Sequence, residues 1–335
     1  MTKKYFNQLP ADTRPEDVDY YRAINWNNLE DLVDKLTYEK LTSQFWLSTR
    51  VPVSNDIDDW RTMTPMERDI VDKVLMGLTM LDTLQSEEGA VVLLPDARTQ
   101  HEKSVLSNIH FMEAEHARSY STIFSSLNNT ARIDELFQWG NNNEMLQYKA
   151  KKINEIYQDG TPLQKKVASV FLESFLFYSG FYTPLRFLGS NKIPNVAEII
   201  KLILRDESVH GTYLGYKFQL GFDELPKEEQ EELKNWTYDL LFDLYDNESK
   251  YTHLIYDEIG WDADVLTFIR YNANKALQNL GFDPLFPDTA EDVNPIVMNG
   301  ISTGTSNHDF FSQVGNGYLM GAVEAMDDSD YTDWM

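Results

Sequence analysis

Two stretches decide the fold: residues 112–121, MEAEHARSYS, and residues 204–215, LRDESVHGTYLG. Each sets a glutamate three residues ahead of a histidine, Glu113 before His116 and Glu207 before His210. On an α-helix positions i and i+3 share a face, so the carboxylate and imidazole of each pair can grip one ion. A Glu-x-x-His on each of two helices, with one more carboxylate from each of two others, is the inward-facing pattern of dimetal carboxylate bundles. The two extra carboxylates are present. Asp82 sits in the apolar run VLMGLTMLDTLQ (74–85), and Glu173 in VFLESFLFY (170–178). A carboxylate buried alone in such surroundings is costly, and coordination to a cation removes that cost. Either Glu-x-x-His alone could be a surface ion pair, and either lone acid a hydrogen-bonded core group. The conjunction on four long helices points to a pair of metals. Four carboxylates and two imidazoles, with no thiolate, suit iron or manganese better than zinc or copper.

Working outward, helical patterns separated by short punctuation fill most of the chain. Thr64-Pro65 supplies an N-cap and a first-turn proline, and Thr161-Pro162 repeats the signal. Pro95 leads into a helix expected over about 98–126, Pro194 opens one stopped by Gly221, and Pro226 opens another, followed by one over about 262–280. Pro184 is expected to kink or end the helix that starts at Thr161. No alternating strand pattern with hairpin glycines competes. The reading is all-α, with one folded domain over 1–283 and a flexible C-terminal tail over 284–335. That tail is crowded with Gly, Ser, Asn and Asp, yet keeps Phe310, Phe311, Tyr318, Tyr331 and Trp334. Such a segment is either a disordered end or a peptide that orders on a partner.

Composition narrows the function. With 29 basic and 54 acidic residues the net charge is −25, which repels phosphate backbones and anionic lipid, so no nucleic-acid or membrane-surface binding is expected. The absence of cysteine excludes disulfides, thiolate ligands and a cysteine nucleophile within the chain. The first residues lack the apolar stretch of a signal peptide. Residues 167–188, VASVFLESFLFYSGFYTPLRFL, are long enough to span a bilayer, but Glu173 and Arg186 interrupt them, and a helix buried on all sides fits better.

Tyr120 lies four residues beyond His116, one turn along the same face, where a phenol would stand close to the metals. Phe177, one turn beyond Glu173, would line an apolar pocket there. A core tyrosine and a core phenylalanine are the plainer alternatives.

At this point the residues resemble a known family, the radical-generating small (β) subunit of class I ribonucleotide reductase, most closely its class Ib branch. The resemblance runs from about Leu41 into the tail, on LTSQFWLSTRVPVSNDIDDW (41–60), LTMLDTLQ (78–85), MEAEHARSYS, FLESFLFYSGFY (171–182), LRDESVHGTYLG and DFFSQVGNGYLMG (309–321). It implies a ferritin-like bundle with additional helices, holding dinuclear manganese or iron through Asp82, Glu113, His116, Glu173, Glu207 and His210. Tyr120 corresponds to the radical tyrosine. Trp46 matches the family's radical-transfer tryptophan, Asp206 the carboxylate linking it to His116, and Tyr318 the tail tyrosine of the same route. The family works as a homodimer with a large (α) subunit that binds the tail and carries the thiyl cysteine and substrate site. The resemblance implies that manganese activation in class Ib depends on a flavodoxin-like protein that delivers an oxidant. Deoxyribonucleotide synthesis implies a cytoplasmic setting. A desaturase, a ferritin-like store or a metal-free helical scaffold would share parts of the pattern, but none needs Tyr120 and an aromatic tail together.

Overall fold

The computed structural model describes residues 23–302, and among them every regular element is helical. In chain order the helices are α1 (Leu32–Ser43), α2 (Ile57–Thr62), α3 (Pro65–Leu84), α4 (Ala90–Leu93), α5 (Gln100–Leu127), α6 (Thr130–Asn142) and α7 (Glu144–Asp159). They continue with α8 (Pro162–Phe171), α9 (Tyr178–Leu188), α10 (Pro194–Phe222), α11 (Lys227–Tyr256), α12 (Asp262–Asn279) and α13 (Pro295–Ser302).

The start signals act as their chemistry requires. At α3 the Thr64 hydroxyl accepts from the Glu67 N–H, and the Glu67 carboxylate accepts from the Thr64 N–H, with Pro65 in the first turn. Thr161 and Gln164 repeat this reciprocal pair at α8. The start of α10 has no side-chain cap of its own. Ile193 precedes it at φ 42°, a left-handed conformation that β-branched residues rarely adopt. Asp59 accepts from the Ile193 N–H at 3.0 Å, and Asp56 accepts from the Val196 N–H at 2.8 Å. Carboxylates from a neighbouring segment thus satisfy the orphan donors and hold the strained entry.

Four helical rods make the frame. α3 packs against α5 and α9, α9 and α8 pack against α10, and α10 closes on α5. Two of these rods carry a π-helical turn: Gln85–Gly89 after α3, and Leu172–Leu176 between α8 and α9. In the second, the Phe177 N–H reaches back five residues to the Leu172 carbonyl at 3.4 Å. The helix opened by Thr161 is therefore interrupted at 172–176. It runs on through Pro184, the expected breaker, to Leu188.

Every residue from Lys166 to Leu185 is buried, as expected for a central helix. No helix among the described residues is long and apolar enough to cross a membrane. The packed body extends beyond the expected boundary at 283. Asn274 accepts from the backbone N–H groups of Leu285 and Phe286, Arg270 pairs with Asp288, and α13 lies on α9 with Val293 and Val297 buried. Glycine and proline punctuation obscured this segment, because side-chain bonds to backbone rather than helical periodicity tie it down. The tail aromatics from Phe310 onward, Tyr318 included, lie outside the described residues.

Candidate metal centre

The six side chains read as ligands converge. Asp82 lies in the last turn of α3, Glu113 and His116 project from the middle of α5, Glu173 sits in the second π turn, and Glu207 and His210 project from α10. All six are fully buried. Their ligating atoms form two four-residue groups: Asp82, Glu113, His116 and Glu207, and then Glu113, Glu173, Glu207 and His210. Within each group the atoms lie within 4.8 Å of one another. Glu113 and Glu207 belong to both, so each can bridge a pair of ions while the other four residues each serve one side.

The crossing of the motifs is direct. His116 Nδ1 lies 3.0 Å from Glu207 Oε1, and His210 Nδ1 lies 2.7 Å from Glu113 Oε1. Each imidazole therefore faces the glutamate of the other helix at closer range than its own, at 3.4 and 3.3 Å. Gly211 lets α10 approach the π turn, since a Cβ there would collide with Ser174 Oγ and lie 3.3 Å from Glu173 Cβ.

The donor set fits a metal pair. Both oxygens of Asp82, Glu113 and Glu207, Oε2 of Glu173 and Nδ1 of both histidines are buried without a hydrogen-bond partner. Native interiors leave few polar atoms in that condition. Four carboxylates and two imidazoles, with their protons displaced by metal, would carry the charge that two divalent cations neutralise. The proton affinities show the same crowding. Burial, then the charges of Glu113 and Glu207, push the Asp82 and Glu173 carboxyls well up. Burial alone would push the imidazoles down. Glu207 beside His116 and Glu113 beside His210 outweigh it and hold both well above the usual histidine range.

Around this centre the structure brings together most of the remaining expected residues. Asp206 Oδ2 accepts from the Trp46 indole N–H at 2.7 Å and lies 3.2 Å from His116 Nε2. That contact assigns the imidazole proton to Nε2 and leaves Nδ1 free for a metal. The Trp46 ring stacks on His116, with centroids 5.8 Å apart and planes at 18°. Gln44 donates to the other oxygen of Asp206. Tyr120 is fully buried and its hydroxyl has no hydrogen-bond partner. Burial first, then the nearby Asp82 charge, push its phenol well up. Phe177 is buried directly after the π turn, with its ring 6.0 Å from Phe181. Neither nitrogen of His210 has a hydrogen-bond partner, so it lacks the counterpart of Asp206.

Sequence reasoning missed one group. Gln85 donates to Glu173 Oε1 at 2.5 Å and is itself held by Tyr157. The available signal was its position, an amide three residues after Asp82 in the same apolar run.

Comparison with known proteins matches residues 23–295 to the family described as ribonucleotide reductase, small chain. The chain belongs to that family. The chain is 51% identical over 315 residues to the Mycobacterium tuberculosis ribonucleoside-diphosphate reductase subunit beta nrdF2, covering 94% of this chain and 97% of that one. It is also 51% identical to the Escherichia coli ribonucleoside-diphosphate reductase 2 subunit beta, over 92% of this chain and 97% of that one. Among solved structures, the Streptococcus sanguinis dimanganese(II)-NrdF superimposes with a TM-score of 0.84 at 67% identity, covering 84% of this chain and all of that one. These similarities place the chain in the class Ib (NrdF) branch of the small subunits.

Proposed function

We propose that this chain is the β subunit of a class Ib ribonucleoside-diphosphate reductase, in which a dinuclear manganese or iron centre generates a radical stored on Tyr120. The observation that carries this reading is the pair of ligand groups sharing Glu113 and Glu207, with a fully buried phenol one turn beyond His116. The dimanganese state of the Streptococcus sanguinis neighbour supports manganese as one occupant.

When bound and activated, the metal pair supplies the oxidising power that removes an electron from Tyr120. The chain's residues set the terms of that loss. A phenol buried without a donor cannot persist as tyrosinate, so its proton leaves with the electron, and the nearest carboxylate is Asp82. The dry surroundings keep water and reductants from the radical. Asp82, Glu113, His116, Glu173, Glu207 and His210 would hold the metals, Glu113 and Glu207 being the two that belong to both ligand groups. Phe177 lines the apolar wall beyond Glu173.

The chain has no cysteine, so it oxidises a cysteine of the α subunit at a distance rather than reducing the ribonucleotide itself. Trp46, Asp206 and His116 form a continuous contact path from the metals to Trp46, which is 6% exposed. Tyr318, in the segment 309–321, extends the route to the α subunit through the C-terminal tail. The functional unit is a homodimer working with α in the cytoplasm, and a flavodoxin-like protein serves manganese activation. These assignments rest on the family resemblance of the motifs. Reductase turnover with the α subunit tests the route. Tyr318→Phe should keep the metals and the Tyr120 radical but abolish turnover; appreciable deoxyribonucleotide formation would remove Tyr318 from the path.

A further inference from the structure

The two π turns among the described residues meet at one contact. Gln85 opens the first turn and Glu173 sits in the second, and the Gln85 amide donates to Glu173 Oε1 at 2.5 Å. On its other side Gln85 Oε1 accepts from the Tyr157 hydroxyl at 2.5 Å, and the Tyr157 oxygen lies 3.0 Å from Ser169 Oγ. Ser169, Tyr157, Gln85 and Glu173 are all fully buried. The backbone makes room for this chain of bonds. At Gly89 a Cβ would collide with Gln85 Oε1 and lie 2.9 Å from the Tyr157 hydroxyl.

The directions of these bonds follow from the acceptor at their end. A metal-bound carboxylate only accepts, so the Gln85 amide nitrogen faces Glu173 and its oxygen faces Tyr157. Tyr157 must then donate to Gln85, which leaves Ser169 as the donor to Tyr157. Three donors in series point at one oxygen of one metal ligand, an arrangement in which each bond polarises the next. The other oxygen of Glu173, Oε2, has no hydrogen-bond partner and faces His210 Nδ1 at 3.5 Å.

We propose that Tyr157 is a positioning residue that, through Gln85, ties down Glu173 Oε1 and leaves Oε2 alone to bind the metal shared with His210. Tyr157 holds the amide in place from its oxygen side. Without that hydroxyl the Gln85 oxygen is left unpaired, and the amide can draw away from the carboxylate and release it to chelate or swing. The same bonds set this second buried phenol near the centre apart from Tyr120. Its proton is committed to an amide oxygen, a poor base, and its oxygen already accepts from Ser169. Tyr120 has neither tie. The proposal rests on the dimetal reading of the site.

The test is a Mn(II) titration of the full-length protein, read by the electron paramagnetic resonance signal of free Mn(II), with infrared carboxylate bands on the loaded form. Wild type should bind two ions per chain. Tyr157→Phe should leave one ion at wild-type affinity and weaken the other about 10–100-fold, the range for losing a partner behind a ligand. Its carboxylate bands should also shift from the pattern of one-oxygen binding. A Tyr157→Phe isotherm and infrared spectrum superimposable on wild type would overturn the proposal. If that variant does not fold by circular dichroism, Gln85→Met carries the same two expectations and the same refutation. Wild type binding fewer than two ions would instead refute the dimetal reading itself.

Discussion

Asp206 is where sequence and structure meet most tightly at the scale of single residues. It adjoins the candidate ligand Glu207 in the chain, yet its two oxygens serve Trp46, His116, Gln44 and Arg205. Asp206→Asn keeps the size but turns one carboxylate oxygen into a donor: at the Oδ2 position it breaks the bonds to both Trp46 and His116, and with Oδ2 kept as the oxygen it can no longer offer both partners a charged acceptor. The variant should retain two metals and the Tyr120 signal while losing reductase turnover by orders of magnitude; turnover near wild type, measured with the α subunit, would remove Asp206 from the transfer path. The clustering of the six candidate ligands was legible because Glu-x-x-His and a carboxylate in an apolar run are local patterns. Gln85 and Tyr157 were not. A buried amide and a buried tyrosine are common in any core, and only the fold shows that they point at Glu173.

Among the elements, the best-read were those with strong terminal chemistry. The capping boxes at Thr64 and Thr161 place α3 and α8 where the sequence does. Thr161→Ala removes the hydroxyl that accepts from the Gln164 N–H, and should cost about 1 kcal/mol in denaturant unfolding. A loss below a few tenths would show that the cap is not holding α8. The sequence reading left α1, α6 and α7 unassigned, although Asp31, Asn129 and Asn143 cap them with side-chain oxygens. Their polar composition hides a narrow apolar face. The π turns were not legible either, since an extra residue in a helical turn leaves the apolar pattern of a wholly buried segment unchanged. Pro184 misled for a related reason. In a helix buried on every side, packing outweighs the hydrogen bond that proline removes.

For the whole molecule, the ring of four rods exists around a cluster of like charges. Removing the metals leaves four carboxylates packed together in the core, so metal binding and folding are coupled. Chelation should lower the thermal midpoint, and excess Mn(II) should restore it in proportion to the logarithm of its concentration. An unchanged midpoint after verified metal removal would mean that the frame stands without the ions. The sequence placed the all-helical class and the central helix at 167–188 correctly. The packing of residues 284–302 onto α9 and α12 escaped it, because a few side-chain anchors, Asn274 and Arg270 among them, do what a periodic pattern does elsewhere.

The most direct measurement pairs metal content with an electron paramagnetic resonance spectrum on freshly activated wild type and Tyr120→Phe. Wild type should hold two metal ions per chain and show a tyrosyl signal, and the variant should hold the same two ions and show none. A tyrosyl signal persisting in Tyr120→Phe, or a wild-type chain that takes up no stoichiometric metal, would contradict the assignment of this site.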